Sequence, residues 1–258
     1  GNEKYLIQPR SYFLAGKNSQ IHIIEHFISV NNDEYFTNSL TNFHLAENSI
    51  VRYTRLQEES SYSFHMSNTN IDVEKDASFS SHLVSLGGKI ARNNINVKFR
   101  GEGGYASLNG LYLTDGEQLF DAHTVIDHAV SLCNSSEHFK GILDGKSRAV
   151  FNGKVFVRPD AQKTNAFQEN NNIILSNEAL VNTKPQLEIF ADDVKCSHGA
   201  TIGQLDEEAL FFLRARGIGK ETAKSLLIHA FASDVFKELK ITAIKDYLEE
   251  ILDKKFNP

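Results

Sequence analysis

The sequence predicts a mainly β fold followed by a small helical region, on the grounds of composition and patterning. The chain has 258 residues, of which 41% are hydrophobic and 23% are charged, as is typical of a folded globular protein. Of its 22 asparagines, 21 precede residue 200, and asparagine favours turns over helices. Beyond residue 200, the helix-favouring residues alanine, leucine, glutamate and lysine prevail. We therefore predict a β domain over 1–203 and a helical domain over 204–258.

The β region reads as many short strands separated by turns. Segment 95–100 alternates apolar and polar residues with a period of two, which indicates a strand with one buried face. The other predicted strands are 50–55, 79–86, 106–113, 119–126, 149–157 and 186–190. Glycine and asparagine tolerate the positive φ of tight corners. They place turns at 87–88, 101–104, 115–116, 144–145, 152–153 and 170–172. This spacing leaves a sandwich, a barrel and a β-solenoid open.

Three amphipathic helices are predicted in the tail. The first, 206–216, begins with three acidic residues and precedes Gly217, which suits a helix C-terminus. The second, 220–240, carries apolar residues including Leu226, Leu227 and Phe231 at the spacing of one helix face. The third, 242–255, has a similar apolar stripe. These faces must pack on one another, on the β region or on another chain.

Charge, cysteine content and hydropathy exclude several classes of protein. The net charge of −6 argues against a general nucleic-acid binder, which needs a basic surface. Two cysteines, Cys133 and Cys196, are too few for a disulfide scaffold or a four-cysteine metal site. We find no signal peptide and no apolar run of about 18–20 residues, so no membrane association is expected. We predict a cytoplasmic location.

The segment 192–199 is the sharpest candidate site. In an extended strand, Asp192, Val194, Cys196 and His198 would share one face. A thiol and an imidazole are two soft-to-borderline metal ligands, but structural zinc and iron–sulfur sites typically need four. The chain would then supply half a site, and a partner would complete it. The alternative is a buried cysteine and a hydrogen-bonded histidine at a strand end.

Other polar clusters suggest two rival functions. Asp121, His123 and Asp127 would share a solvent-facing strand face, with His128 on the opposite face. Scattered carboxylates such as Asp144 and Asp160 raise the alternative of a carbohydrate-active β-helix enzyme, which needs two carboxyls at a set separation.

The Gly217-Ile218-Gly219 turn between two helices raises a second alternative, a helix-hairpin-helix nucleic-acid-binding protein. Residues 206–258 hold ten acidic and nine basic side chains, which favours a plain helix cap and turn. No nucleic-acid partner is therefore expected.

Ordered segments along the chain together resemble one family, the SufB/SufD scaffolds of iron–sulfur cluster assembly. The resemblance covers about residues 105–235, with a looser fit over 20–105, and the Cys-Ser-His-Gly-Ala-Thr form at 196–201 is similar to the SufD type. The matching segments are 108–112, 123–128, 139–143, 147–154, 161–164, 183–189, 196–201 and 211–218.

The resemblance implies a fold. We expect a right-handed parallel β-helix, or β-solenoid, followed by a small helical C-terminal domain. It also implies a partly helical N-terminal region that this chain lacks, so we expect the chain to be part of a longer protein.

The resemblance also implies partners and site residues. It implies a SufB-type subunit, two copies of a SufC-type ATPase that dock on the C-terminal helices, and a transient cluster at the subunit interface. His198 would be a cluster ligand only with the partner chain present, and Cys196 would lie beside it. Leu226, Leu227 and Phe231 would belong to the ATPase-docking helices. We expect a scaffold, not an enzyme, without a cofactor in the isolated chain. In isolation a homodimer through the same strand edges is an alternative.

Overall fold

The fold is known from a computed structural model that describes residues 4–237, 239 and 241–256. These residues form fifteen strands, three α-helices and a 3-10 helix at Asp234–Phe236. The strands are β1 (Tyr5–Ile7), β2 (Arg10–Ala15), β3 (Gln20–Ile28), β4 (Tyr35–Leu45), β5 (Ile50–Glu58), β6 (Phe64–Val73), β7 (Ser78–Ser85), β8 (Ile90–Phe99), β9 (Tyr105–Thr114), β10 (Leu119–His128), β11 (Asn134–Leu143), β12 (Arg148–Val157), β13 (Asn165–Ile174), β14 (Leu180–Ile189) and β15 (Lys195–Gly203). The α-helices are α1 (Glu207–Ala215), α2 (Lys220–Ser233) and α3 (Thr242–Phe256).

The strands wind into a parallel β-helix of about 7 turns. Sheet A has the order β1-β4-β6-β8-β10-β12-β14, with β2 also paired to β4, and sheet B has the order β15-β13-β11-β9-β7-β5-β3. From β3 onward, consecutive strands therefore lie in opposite sheets, and each strand pairs with the equivalent strand one turn later. The solenoid is confirmed, and the sandwich and barrel alternatives fall away.

The core lies between the two sheets and is filled by alternate side chains of the strands β4 to β13. Large aromatic rings contact one another there: the ring centroids of Phe43 and Phe79 are 5.3 Å apart, and those of Phe139 and Phe151 are 5.0 Å apart. Burying such a side chain stabilises a fold by about 1.5–3 kcal/mol. Since each turn is covered by the next, the first and last turns are the places where the core is left open.

The turn predictions were right where glycine adopts a left-handed backbone. Gly88, Gly103, Gly116 and Gly145 have positive φ values between 59° and 85° at corners of the coil. The predicted turns at 152–153 and 170–172 were wrong, because these residues lie inside β12 and β13.

Asn170 and Asn172 are buried on the inner face of β13, where their side-chain amides form hydrogen bonds within the core. Asn170 Nδ2 donates to Tyr112 Oη at 3.2 Å, and Asn172 Nδ2 donates to Thr201 O at 3.3 Å. Buried polar groups are stable when they are paired in this way. The asparagines therefore belong to the core and not to a corner.

The helical region packs on the outer face of sheet B. Its apolar side chains join outward-facing residues of four strands, β5, β7, β9 and β11, in one buried cluster. The sheet residues of this cluster are Leu56, Val84, Leu111, Leu113 and Ile142. The helix residues include Ile228, Ala232, Val235, Phe236, Ile244, Leu248 and Leu252. The packing explains why these short helices need an amphipathic face.

The predicted helix 220–240 is too long, because α2 ends at Ser233 and continues as the 3-10 turn Asp234–Phe236. That turn buries both Val235 and Phe236 against the sheet. It also brings the Asp234 carboxylate to 2.7 Å from Lys140 Nζ on β11. An uninterrupted α-helix would carry consecutive side chains to faces about 100° apart.

Helix ends agree with the sequence patterns at the first helix. The Asp206 carboxylate accepts hydrogen bonds from the backbone N–H groups of Glu208 and Ala209 at 2.9 and 3.1 Å.

Among the described residues, no helix is long and apolar enough to cross a membrane.

Candidate functional site

The candidate site lies on the last turn of the β-helix. Among the residues that the structure describes, β15 pairs with β13 on one side and with no strand on the other, which leaves a free edge. Cys196 is in register with Ala166 and His198 with Gln168, two residues buried on the inner face of β13. Cys196 is half-buried and His198 is exposed. The prediction that these two residues share a face is confirmed for β15, and His198 lies at the open end rather than inside the coil.

The other two residues of the predicted face precede the strand. Asp192 is exposed in the connection before β15, and Val194 packs with Cys196 against a small apolar cluster. That cluster contains Val155, Val157, Ala161, Ala166 and Ala191. Cys196 therefore has one side against the core and one toward the free edge.

Both cysteine thiols have raised pKa values, but the two residues differ in how deeply they are buried. Burial raises the pKa of the Cys196 thiol, and it raises that of Cys133 to about 11. Cys133 is buried, and its Sγ donates to Gly101 O at 3.5 Å, which suits a structural role. Only a thiolate is a strong ligand, so Cys196 would bind iron best when a nearby positive charge or metal lowers its pKa.

The chain brings two donors together at this edge. Within the parts of the chain that the structure describes, no three His, Cys, Asp or Glu side chains form a group that could hold a metal ion. An imidazole and a thiol on a free strand edge can take part in a coordination sphere to which another molecule adds ligands.

Sequence reasoning missed the polar side chains beneath His198. Glu137 on β11 and Gln168 on β13 occupy the same inner-face register position as His198, in successive turns. Gln168 Nε2 donates a hydrogen bond to Glu137 Oε2. Burial raises the pKa of Glu137 to about 7, although polar contacts with Thr124 and Gln168 oppose the shift. Glu137, Gln168 and His198 are spaced by about 30 residues in the sequence. This spacing indicates that they lie next to one another only when the length of one turn of the coil is known.

The three predicted docking residues on α2 differ in exposure. Leu226 is 47% exposed, Leu227 is half-buried, and Phe231 packs against the core shared with sheet B. The Lys140 ammonium lies 4.5 Å from the centre of the Phe231 ring, so this residue has a partner within the chain.

Two further exposed apolar residues in the helical region were not selected from the sequence. On α1, Phe211 and Phe212 are 74% and 54% exposed. The Arg216 guanidinium lies 4.1 Å from the centre of the Phe212 ring. With Leu226 they give the helical region an exposed apolar surface.

Asp121, His123 and Asp127 share the outer face of β10, as predicted, and the alternate residues between them are buried. Asp121 lies 2.9 Å from His123 Nε2, and Asp127 accepts two hydrogen bonds from Arg158 at 2.7 and 2.8 Å. His128 faces the core and lies 2.9 Å from Ser135 Oγ. The Asp127–Arg158 pair joins neighbouring turns of the coil, whereas the Asp121–His123 contact lies within β10.

The carboxylates of the carbohydrate-enzyme alternative are not brought together. Asp144 lies in the turn after β11, and Asp160 in the turn after β12, at opposite ends of the ten-residue strand β12. A ten-residue strand is roughly 33 Å long. The acid pair of a glycosidase lies within about 5–9.5 Å, so these two residues cannot form one.

The Gly217-Ile218-Gly219 turn has the geometry of a helix cap. Gly217 has φ +85°, and its N–H donates to Arg214 O at 3.0 Å. Gly219 is the N-cap residue of α2. A positive φ after a helix end is the usual place for glycine, so the two glycines have a structural explanation.

The structure is a parallel β-helix that carries Cys196 and His198 on its last strand, and comparison with known proteins gives the class. Residues 1–231 match the family described as SUF system FeS cluster assembly, SufBD core domain, and the chain belongs to this family. It is 36% identical to the iron–sulfur cluster assembly protein SufD of Escherichia coli over 95% of the chain and 58% of that protein.

Two other relatives extend the comparison. A SufBD family protein of Synechocystis is 37% identical over 95% of the chain and 56% of its own length. A chloroplastic protein of Arabidopsis thaliana is 35% identical over 92% of the chain and 50% of its own length. The chain thus spans about half the length of the curated relatives it matches.

Proposed function

We propose that this chain is a scaffold subunit for iron–sulfur cluster assembly. The observation that carries the proposal is the position of His198 and Cys196 on the free edge of β15, within a chain of the SufBD family. Two ligands at an edge are suited to a cluster completed by a second subunit. The cluster is cargo in this proposal, and the isolated chain would carry no cofactor.

The proposed partner at this edge is a SufB-type subunit. Strand β15 has unpaired backbone groups, which can add a strand from another β-helix. Pairing there would cover the open core and bring the partner's ligands beside His198. A homodimer through the same edge is the expected substitute when the chain is alone.

The proposed partner at the helices is a SufC-type ATPase. The exposed side chains of Phe211, Phe212 and Leu226 offer an apolar surface of the kind that protein interfaces use. In this arrangement ATP hydrolysis belongs to the partner, and this chain is not an enzyme. We propose a cytoplasmic location because iron–sulfur chemistry needs reduced thiols.

The test is reconstitution of the complex with a His198→Ala variant. The full-length protein carrying this change should co-purify with its SufB-type and SufC-type partners but yield several-fold less cluster iron and sulfide. The matched control is His123→Ala, on the outer face of β10 and away from β15. Normal cluster yield from the His198→Ala complex would reject the assigned role.

A further inference from the structure

The inner face of the last three turns carries a polar column that ends at His198. Glu137, Gln168 and His198 follow one another on β11, β13 and β15 at one register position. Glu137 is 2% exposed and Gln168 is 1% exposed. Buried polar side chains at such positions are costly unless they are paired, so the column needs an explanation.

The Gln168 amide has one end paired and one end free. Its Nε2 donates to Glu137 Oε2, while its Oε1 is buried without a hydrogen-bond partner. A buried acceptor in this state destabilises the fold unless a donor reaches it. The carboxylate can only accept when it is ionised, so it holds the amide with its nitrogen toward Glu137 and its oxygen turned away.

The neighbouring strand makes room for this amide. Gly153 on β12 faces the core, and a Cβ at that position would overlap Gln168 Nε2. Gly153 is not among the residues with positive φ, so it is not required by a turn. A glycine inside a strand often marks the close approach of another group. Gly153 thus leaves space for the amide nitrogen that Glu137 binds.

His198 is the residue in register with Gln168 on the next turn of the coil, which makes its imidazole the candidate donor to Gln168 Oε1. Side chains in register on adjacent turns hydrogen bond directly elsewhere in this coil: Asn94 Nδ2 donates to Asn68 Oδ1 at 2.9 Å, for example. His198 is exposed at the open end, so its ring can rotate on a picosecond-to-nanosecond timescale. A neutral imidazole has one N–H to donate and one nitrogen left to accept.

We infer that Glu137 and Gln168 are positioning residues for His198: one ring N–H of His198 donates to Gln168 Oε1, which fixes the tautomer and leaves the other ring nitrogen for the partner side. The inference rests on the proposed function, because it concerns how the proposed ligand is held. Metal-binding histidines usually have such a fixed second nitrogen, and loss of its partner typically lowers metal affinity about 10–100-fold.

The experiment measures the tautomer of His198 by 15N NMR in the 258-residue chain at a pH where the ring is neutral. One tautomer should predominate in the native chain. Gln168→Met keeps the length of the side chain but removes the acceptor, and it should shift the tautomer ratio at least threefold. Glu137→Gln introduces an amide that can donate as well as accept, so it no longer fixes the orientation of the Gln168 amide and should weaken the preference for one tautomer.

The matched control is Thr183→Val, which removes another buried, unpartnered oxygen from the inner side of the coil. It should leave the His198 tautomer unchanged, and circular dichroism should show a folded β-helix for all variants. An unchanged tautomer ratio in folded Gln168→Met would overturn the inference. The measurement needs no cluster or partner, so a normal cluster yield from His198→Ala would reject the proposed function separately.

Discussion

Glu137 is the residue whose burial has the clearest consequence for pH. Its pKa is raised from an ordinary 4.5 to about 7 by desolvation inside the coil. The folded state therefore holds a proton that the unfolded state releases between these values. Stability falls as pH rises through this window, and stays lower above it, by about 3 kcal/mol for a shift of this size.

Glu137→Gln should remove this dependence. The side chain keeps its size but no longer titrates, so the free energy of unfolding of the variant relative to the native chain should rise by about 3 kcal/mol from pH 4.5 to 8. Urea denaturation at the two pH values measures this difference. A constant difference would mean that Glu137 does not change its protonation on folding.

Local sequence patterns predicted which face of a strand a side chain lies on better than they predicted which side chains of neighbouring turns lie next to it. The alternation placed Cys196 beside His198 and turned His128 away from His123, because side chains of a strand alternate strictly. Gln168 and Glu137 could not be connected with His198 from the sequence. Their proximity depends on the turn length of the coil, which varies from one turn to the next, and on contacts across it.

The free edge of β15 is the element on which association would depend. The backbone N–H of Lys195 donates to Thr164 O on the β13 side. Backbone N–H groups alternate between the two edges of a strand, so those of residues 195, 197, 199 and 201 point toward β13. Those of residues 196, 198, 200 and 202 point toward the free edge. Ala200→Pro should therefore prevent strand addition but leave the hydrogen bonds to β13 intact, so the melting temperature of the isolated chain should change little.

Thr201→Pro is the control for this edge, because it removes an N–H that faces β13 and should destabilise the fold itself. Sedimentation velocity and thermal unfolding separate the two effects. If Ala200→Pro associates with the partner subunit, or with itself, as well as the native chain does, then pairing through β15 is not the mode of association.

The junction between the helices and sheet B is a second element with a testable contact. Lys140 Nζ lies 2.7 Å from Asp234 and donates to Phe231 O at 3.2 Å, and the nearby Lys140 and Lys237 lower the pKa of Asp234 to about 2. A double-mutant cycle of Lys140→Met and Asp234→Asn should give a coupling free energy of about 0.5–3 kcal/mol. Additive effects, measured by urea unfolding, would show that the pair does not tie the helices to the sheet.

The element boundaries in this region show what local patterns omit. The start of α1, its end and the start of α2 followed from Asp206, Gly217 and Gly219 respectively, whose effects are local. The end of α2 at Ser233 did not, because the apolar pattern continues to Val235 and Phe236. Lys140, about 90 residues away in sequence, contacts Phe231 O and Asp234 at that end, and no local pattern announces such a contact.

The whole coil should lose stability in mild acid. His82 and His128 are buried, and desolvation lowers the pKa of each to about 4. In the unfolded chain these histidines bind protons near pH 6.5, whereas in the folded chain they stay neutral down to about pH 4. The free energy of unfolding therefore falls as the pH drops from 6.5 to about 4. Each histidine contributes about 3 kcal/mol, which exceeds the opposing effect of Glu137 when the two are added.

His128→Gln should reduce the slope of stability against pH in this window by about half of the histidine contribution. The measurement is the free energy of unfolding at several pH values between 4 and 7. An identical slope in the variant and the native chain would mean that His128 already titrates normally in the fold.

At the scale of the molecule, composition and turn chemistry indicated β structure followed by helices, but they left three architectures open. Only the resemblance to a family selected the solenoid. The reason is physical: strand pairing in a parallel coil joins residues about 30 apart, and a single sequence with irregular turns carries no strict repeat that would reveal this pairing.

The attachment of the helices to four strands, β5, β7, β9 and β11, has a mechanical consequence. A load applied to the helical region would be shared among several turns of the coil and would not peel away the last one. The solenoid would then move as a stiff lever. A small displacement of the helices would then also move the last turn, which bears His198, while the strands of the turns between the helices and β15 stay paired.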